Sequence, residues 1–212
     1  MLPTIAKLLR PQIKRVPKGR PPRMTPALVA RTRARMSAEQ IAEYNASIAK
    51  TRERKLSGLR SLLRDKRVGN TMLDPETRGV AKKFARLPFG CIHDSCAGHF
   101  ADKPIRGKRV SLEKMNPGQK FFASGSKFEL ILDLSPAAME FRSALGKFNK
   151  NFVYGPVLWA GSIIIVRVPI KREKRFGRRQ AAEIRRLNLQ LINEFESLVD
   201  GFAAKYGVKV KL

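Results

Sequence analysis

Residues 128–136 read Phe-Glu-Leu-Ile-Leu-Asp-Leu-Ser-Pro, and this stretch decides the fold class. Apolar residues stand at every second position from Phe128 to Leu134, which is the period of a half-buried β-strand. Ser135 followed by Pro136 has the form of a helix N-cap with proline at the first helical position. The stretch therefore predicts a strand that is followed directly by a helix reaching about Phe148.

The residues after this helix predict a hairpin. Two apolar stretches, 152–159 and 162–168, are separated by the small pair Ala160-Gly161. The β-branched run at 163–166 favours a strand, and a small turn between two apolar stretches favours antiparallel pairing. We therefore expect the two stretches to be neighbouring strands of one sheet.

A long helix and a last strand complete the predicted order. From Ile184 to Tyr206, apolar residues recur every three or four positions, and Gly207 stands where a C-cap glycine is expected. Residues 208–212 alternate valine and lysine before a leucine, a pattern typical of an edge strand. The resulting order, β-α-β-β-α-β, is that of the ferredoxin-like fold. We therefore predict an α+β protein with a ferredoxin-like sandwich at residues 127–212.

Helix start signals also occur in the N-terminal half. We therefore expect a basic, mostly helical extension before the sandwich. Thr25-Pro26 and Asp74-Pro75 each predict a helix start, and Ser37 with Gln40 forms a capping box that opens a third helix. We divide the chain into a basic extended arm at 1–36, a helical and loop region with a Cys/His cluster at 37–126, and the domain at 127–212.

Composition excludes several classes of protein. The chain has 212 residues, with 44 Lys and Arg against 17 Asp and Glu, and a formal charge of +27. A hydrophobic share of 43% is enough for a packed core, which argues against a wholly disordered basic tail. The chain has no run of about 18 apolar residues, so we expect no membrane-spanning helix. Two cysteines are too few for a secreted disulfide framework. The expected partner is a polyanion.

The positive charge is concentrated towards the N-terminus. Residues 1–36 hold ten basic residues and no acid, and five prolines fall in the first 22 positions. Such a run repels itself in water and becomes compact against phosphates, which predicts an arm that threads along nucleic acid. A mitochondrial targeting peptide and a solubilising tail are the alternatives, since Leu2 to Arg10 is amphipathic and free of acid. The predicted contacts in this arm are Lys14, Arg15, Lys18, Arg20, Arg23, Arg31, Arg33 and Arg35.

A second basic run follows the predicted hairpin. Residues 171–179 contain six basic residues and one acid, Glu173, and Arg185 with Arg186 extends the run along the next helix. Contacts with phosphates, of RNA more than of DNA, are predicted for Lys171, Arg172, Lys174, Arg175, Arg178 and Arg179.

Base stacking on the predicted sheet is not expected. RNA-recognition modules of this fold carry aromatic residues on their central strands. Here Phe128 is the only aromatic residue in the two corresponding strands, 128–134 and 162–168, and the signature of those modules is absent. The second of these strands is aliphatic on both sides, so we expect the N-terminal helices or another subunit to cover the open face of the sheet.

Both cysteines and both histidines of the chain fall within nine residues, as Cys91, His93, Cys96 and His99. Cysteine and histidine are the preferred ligands of structural zinc, so these four residues are candidate metal ligands. The spacing argues against a standard zinc site because all four ligands would share one short loop. Two alternatives to a metal site are buried thiols beside loop histidines and a disulfide. A third alternative is a catalytic site in which a cysteine nucleophile has a histidine base.

These features predict a non-catalytic structural subunit of a ribonucleoprotein, of ribosomal or mitoribosomal type. Its α/β domain would dock on other protein subunits while the basic segments run along RNA, with no cofactor or with structural zinc. We expect an intracellular protein, located in the mitochondrial matrix if the N-terminus is a targeting peptide. A virion structural protein that touches the genome is the alternative, and a small zinc- or cysteine-dependent enzyme is a second alternative.

Overall fold

The structure is a computed structural model and describes residues 26–65, 74–103, 109–111, 113, 116, 118–147, 153–156, 163–170 and 175–212. It is an α+β protein built from helices and two antiparallel sheets. The helices in these residues are α1 (Pro26–Ala34), α2 (Ala38–Arg64), α3 (Pro75–Phe84), α4 (Pro136–Gly146) and α5 (Arg178–Tyr206). The strands are β1 (Gly90–Cys96), β2 (Phe100–Ala101), β3 (Arg109–Val110), β4 (Phe121–Ala123), β5 (Lys127–Leu132), β6 (Val153–Pro156), β7 (Ile163–Arg167) and β8 (Arg175–Phe176). No helix in these ranges is long and apolar enough to cross a membrane.

Local capping decides where the helices begin. The Ser37 hydroxyl accepts from the Gln40 N–H at 3.2 Å, and the Gln40 side chain accepts from the Ser37 N–H at 3.0 Å, which confirms the predicted capping box. Ser135 accepts from the Ala138 N–H at 3.3 Å, and Pro136 is the first residue of α4. These bonds satisfy N–H groups that have no partner within the helix.

The first sheet has the strand order β1-β5-β7-β6, and all of its pairs are antiparallel. Leu130 of β5 is opposite Ile92 on one side and Ile164 on the other. The pairing of β6 with β7 confirms the predicted hairpin. In β1, Ile92 and Asp94 pair with consecutive residues of β5, so His93 forms a β-bulge. The second sheet has the order β3-β2-β4-β8, with strands of two or three residues.

The ferredoxin-like order predicted for residues 127–212 is not confirmed. Residues 208–212 form no strand, and β1 occupies the edge position beside β5 that the predicted last strand would have taken. An edge of a strand can pair with only one neighbour, so β1 excludes residues 208–212 from this position. Gly207 also has an extended backbone (φ −67°, ψ 142°) and not the left-handed conformation of a C-cap glycine.

The C-terminal tail contacts the helices. The Val208 N–H donates to the Arg86 carbonyl at 2.9 Å, just after α3. Further along, Nε of Arg60 in α2 donates to the Lys211 carbonyl at 2.7 Å. These bonds hold the tail against α2 and the end of α3.

The main core lies between the first sheet and helices α3, α4 and α5. Phe195 of α5 stacks on Phe128 of β5 with ring centroids 4.5 Å apart, and Phe84 of α3 meets Phe141 of α4 edge to face at 5.7 Å. The core contains Val80, Phe84, Leu87, Phe89, Phe128, Leu130, Leu132, Ala138, Phe141, Leu145, Ile164, Val166, Val168, Leu191, Ile192, Phe195, Val199 and Ala203. Residues 80–89 thus share a core with residues 128–203, and the core crosses the boundary predicted between residues 126 and 127.

Helices α1 and α2 cover the other face of the first sheet. We expected either the N-terminal helices or another subunit on this face, and the structure places the helices there. The Tyr44 hydroxyl donates to the Leu132 carbonyl at 3.5 Å. The Leu134 N–H donates to the Asn45 side chain at 2.8 Å. The buried residues of this second cluster are Val29, Tyr44, Ile48, Cys91, Ile131 and Leu134.

Candidate nucleic-acid interface

Strand β8 and the start of α5 position the described part of the second basic run. Gly177 is the N-cap of α5, and its N–H donates to the Gln180 side chain at 3.3 Å, which fixes the first helical turn. Arg178 and Arg179 are exposed in that turn, which contains no acid. Among the described residues, neither arginine has an ion-pair or hydrogen-bond partner. Two uncompensated positive charges therefore stand at the positive end of the helix dipole, which favours an anion there.

Arg175 precedes the start of α5 by three residues. It is exposed in β8, directly opposite Phe122 of β4. Its guanidinium carbon lies 5.4 Å from the centre of the Phe122 ring, within the range of a cation–π contact. This contact orients the guanidinium without neutralising it. The other predicted contacts of this run, Lys171, Arg172 and Lys174, lie outside the described residues.

Arg185 and Arg186, which extend this basic run along α5, are paired with carboxylates. Arg185 lies 2.6 Å from Glu113, and Arg186 lies 2.6 Å from Glu183. Hydrogen bonds from the Ser111 hydroxyl and a backbone N–H, together with Arg185, lower the pKa of Glu113 to about 2. Glu113 is therefore ionised at neutral pH, and these two arginines add less net charge than their number suggests.

A shallow depression of about 450 Å³ runs along this face of α5. Arg178, Arg185 and Arg186 line it together with Leu189, which is 43% exposed. Glu113, the partner of Arg185, also lines the depression.

The arginines in α1 and directly after it do not share one role. The Nε of Arg33 donates to the Leu134 carbonyl at 2.8 Å, so this arginine ties α1 to the loop before α4. Arg31 and Arg35 are exposed and have no partner among the described residues. The structure therefore leaves Arg31 and Arg35 available for phosphates and gives Arg33 a structural contact. The remaining predicted contacts of the arm, Lys14, Arg15, Lys18, Arg20 and Arg23, lie outside the described residues.

Several further arginines hold the fold together through backbone carbonyls. Arg52 of α2 donates to the Leu87 carbonyl at 2.9 Å and to the Ala85 carbonyl at 2.8 Å, just after the end of α3. Arg142 is buried and donates to the Leu132 carbonyl at 2.9 Å. A carbonyl carries no formal charge, so these contacts leave the positive charge of the molecule unchanged. Sequence reasoning did not identify these arginines, because their acceptors lie in other elements.

The Cys/His cluster is part of a strand, and its four residues do not converge. Cys91, His93 and Cys96 lie in β1, and His99 follows before β2. Cys91 is 4% exposed and packs in the cluster under α1 and α2. Cys96 and His99 are in contact, with Sγ and Nδ1 3.7 Å apart. Among the described residues, no group of three or more His, Cys, Asp and Glu side chains is placed to hold a metal ion.

Asp74 and Ser124 hold the second half of this cluster. Asp74 accepts from the Ala97 N–H at 2.8 Å and pairs with Arg109 at 3.1 Å, while Ser124 lies 3.2 Å from Nδ1 of His99. Burial raises the pKa of Asp74, but the Ala97 and Arg109 donors outweigh it and leave this pKa below its ordinary value. Arg109 and the Ala97 N–H therefore hold Asp74 in its ionised form.

The two thiols are held in their protonated form. Burial raises the pKa of Cys91 to about 11, and burial also raises the pKa of Cys96. A thiolate is the form that acts as a nucleophile or metal ligand. Without a bound cation, the surroundings of both cysteines therefore disfavour the thiolate.

We expect Cys91 to destabilise the protein in alkali. Its pKa is raised from 9.0 to about 11, so the protonated thiol stabilises the fold below pH 9 and this contribution is lost as the pH rises through 11. The loss amounts to at most about 2–3 kcal/mol, since one pKa unit corresponds to about 1.4 kcal/mol. Urea denaturation between pH 8 and pH 11 should show a shallower alkaline decline for Cys91→Ala than for the wild type. Parallel curves for the two proteins would contradict the prediction.

Comparison with known proteins assigns no family. No protein-family model matches the chain, and no curated protein matches it. Among solved structures, the chain is similar to "PH1069 protein from Pyrococcus horikoshii" at 16% identity and a TM-score of 0.47, over 80% of this chain and 97% of that one. A structure of the PH1069 protein from Pyrococcus horikoshii OT3 gives 15% identity and a TM-score of 0.42, over 74% and 91% of the two chains. Likeness at this level carries no functional argument.

Proposed function

We propose that this protein is a non-catalytic structural subunit of a ribonucleoprotein and binds RNA through phosphate contacts. The observation that carries the proposal is the group of three exposed arginines, Arg175, Arg178 and Arg179, none of which has a carboxylate partner among the described residues. These arginines belong to a chain with a formal charge of +27. Unpaired cations at one surface attract a polyanion more strongly than the same number of ion-paired cations.

The kind of contact follows from the side chains. Guanidinium groups match the geometry of phosphate oxygens and bind them in a bidentate manner. Phosphate contacts position a protein on nucleic acid but read no sequence. The proposal is therefore binding to RNA with little dependence on sequence, supported by the exposed Arg31 of α1 and the exposed Arg35 just after it.

Other arginines serve the fold of this chain itself. Arg33, Arg52 and Arg142 hold helices and loops together through backbone carbonyls. The basic arm predicted at residues 1–36, with five prolines in its first 22 positions, is suited to an extended course along RNA, beside other protein subunits. For localisation we propose an intracellular ribonucleoprotein, in the mitochondrial matrix if the arm includes a targeting segment.

A binding assay with a paired variant tests the proposal. Filter binding of the full-length protein to RNA should weaken steeply as salt rises, because each phosphate contact releases condensed cations. We expect R178Q/R179Q to bind more weakly at low salt and to reduce the slope of log K against log salt by about 1.5. The protein purified from its own cell should carry RNA.

The matched control is K82Q/R86Q, which removes the same charge from exposed positions of α3 and the turn after it. It should change the slope by less than half as much as R178Q/R179Q. Equal changes in the two variants would mean that net charge and not this surface decides binding. Absence of salt-dependent RNA binding by the wild type would contradict the proposed function, and co-purification with particles that contain DNA would favour a virion protein.

A further inference from the structure

One face of the second sheet carries a row of residues that runs across all four of its strands. Arg109 of β3 is opposite Ala101 of β2, Ala101 is opposite Phe122 of β4, and Phe122 is opposite Arg175 of β8. Directly opposite residues of antiparallel strands project to the same face. The row therefore places Phe122 and Arg175 side by side on one surface.

The neighbouring positions of these strands project to the other face and are buried. Phe100, Phe121 and Phe176 pack there against Ala181 and Ile184 of α5. Phe121 is fully buried, whereas Phe122 is only half-buried and stands on the opposite face. This alternation leaves an aromatic ring at the surface, beside the exposed Arg175.

The positively charged guanidinium of Arg175 lies over the Phe122 ring on this face. The guanidinium carbon lies 5.4 Å from the ring centre, and the arginine has no carboxylate partner among the described residues. Bases of single-stranded RNA stack on aromatic rings and on guanidinium planes. Arg178 and Arg179 follow within four residues of Arg175, exposed in the first turn of α5.

We propose that Arg175 and Phe122 are a stacking platform for an unpaired RNA base, with Arg178 and Arg179 on the flanking phosphates. The proposal rests on the proposed function and adds that the RNA is single-stranded at this surface. A base inside a duplex is already stacked on both sides, so only an unpaired base can present a face to Arg175. Phe128 of the first sheet cannot take this role, because it is fully buried in the core.

A double cycle between protein and RNA tests the platform. Binding is measured by fluorescence anisotropy with a labelled 8-nucleotide single strand and with the same strand carrying abasic residues throughout its centre. The protein variants are Arg175→Lys, which keeps the charge but loses the planar group, and Phe122→Leu, which keeps apolar bulk but loses the aromatic ring. The matched control is Arg178→Lys, which keeps the charge at a position assigned to a phosphate.

We expect Arg175→Lys and Phe122→Leu each to weaken binding of the intact strand by about 5- to 30-fold. Binding of the abasic strand should change by less than about twofold, because it has no base to lose from the platform. The salt slope should stay the same for both variants, since neither changes the charge. A blunt duplex of the same length should bind the wild type and both variants equally.

Equal losses on intact and abasic strands would overturn the platform, as would equal losses for Arg178→Lys and Arg175→Lys on the intact strand. In these cases steep, salt-dependent binding by the wild type would still support the proposed function. If Phe122→Leu lowers the melting temperature, Arg175→Lys alone decides the outcome, since Arg175 is exposed.

Discussion

Replacing Phe195 by alanine is expected to lower the free energy of unfolding by about 3–5 kcal/mol, enough to unfold many proteins of this size. The Phe195 ring is fully buried where helices α3, α4 and α5 meet the first sheet. Its centroid lies 4.5 Å from that of Phe128, 6.3 Å from Phe84 and 6.4 Å from Phe141. Its removal would leave a cavity between four elements that cannot all move inward to fill it.

Chemical denaturation followed by circular dichroism measures this loss. The matched control is Leu189→Ala on the same helix, where the side chain is 43% exposed and a change below about 0.5 kcal/mol is expected. A loss below about 1 kcal/mol for Phe195→Ala would mean that the ring is not enclosed as described.

The second large effect is expected from Asn188→Ala, with a loss of about 2–3 kcal/mol. Asn188 of α5 is 4% exposed, and its side-chain oxygen accepts from the Ser126 N–H at 2.8 Å. The amide group donates to the Ser124 carbonyl at 3.4 Å. Alanine removes the oxygen and the amino group of the Asn188 side chain and leaves the buried Ser126 N–H without an acceptor. The unpaired N–H costs more free energy than the net value of the hydrogen bond itself.

Asn193→Ala is the matched control, because Asn193 lies on the same helix but is exposed. Thermal or urea denaturation should place this control within about 0.5 kcal/mol of the wild type. Asn188→Asp should also destabilise the protein, since it buries a charge and loses the donor to Ser124. Wild-type stability in both Asn188 variants would refute the role assigned to this side chain.

Features set by local sequence were predictable. The starts of α1, α3 and α4 follow from proline at the first helical position, and the start of α2 follows from the Ser37 capping box. The alternation in β5 and the β-branched run in β7 predicted two central strands. In each case the signal lies within a few residues of the element that it forms.

Features set by distant contacts were not predictable from one sequence. The stretch Gly90–Cys96 shows no regular alternation, and its bulge at His93 shifts the period, so β1 did not appear as a strand. Val208–Leu212 has a strand pattern but meets an edge that β1 already occupies. Strands of two residues, as in much of the second sheet, are too short to leave a periodic signal.

The same difference between local and distant contacts applies to the candidate interface. The charge pattern located Arg175, Arg178 and Arg179, since a local excess of cations is visible in the sequence. The charge pattern could not show that Arg33 has a structural contact whereas Arg31 is exposed, because the carbonyl that Arg33 contacts is 101 positions away. The stacking partner of Arg175, Phe122, became visible only through the pairing of β4 with β8.

The positions of the core residues along the chain affect when the core can fold during synthesis. Val80 and Phe84 of α3 are buried in one core with Phe195 and Val199, more than 100 positions later. A ribosome that has released only the first half of the chain therefore exposes the apolar side of α3 and β1, next to a strongly basic N-terminal segment. Collapse of the main core must wait until α5 has emerged, so most of its contacts form only late in synthesis.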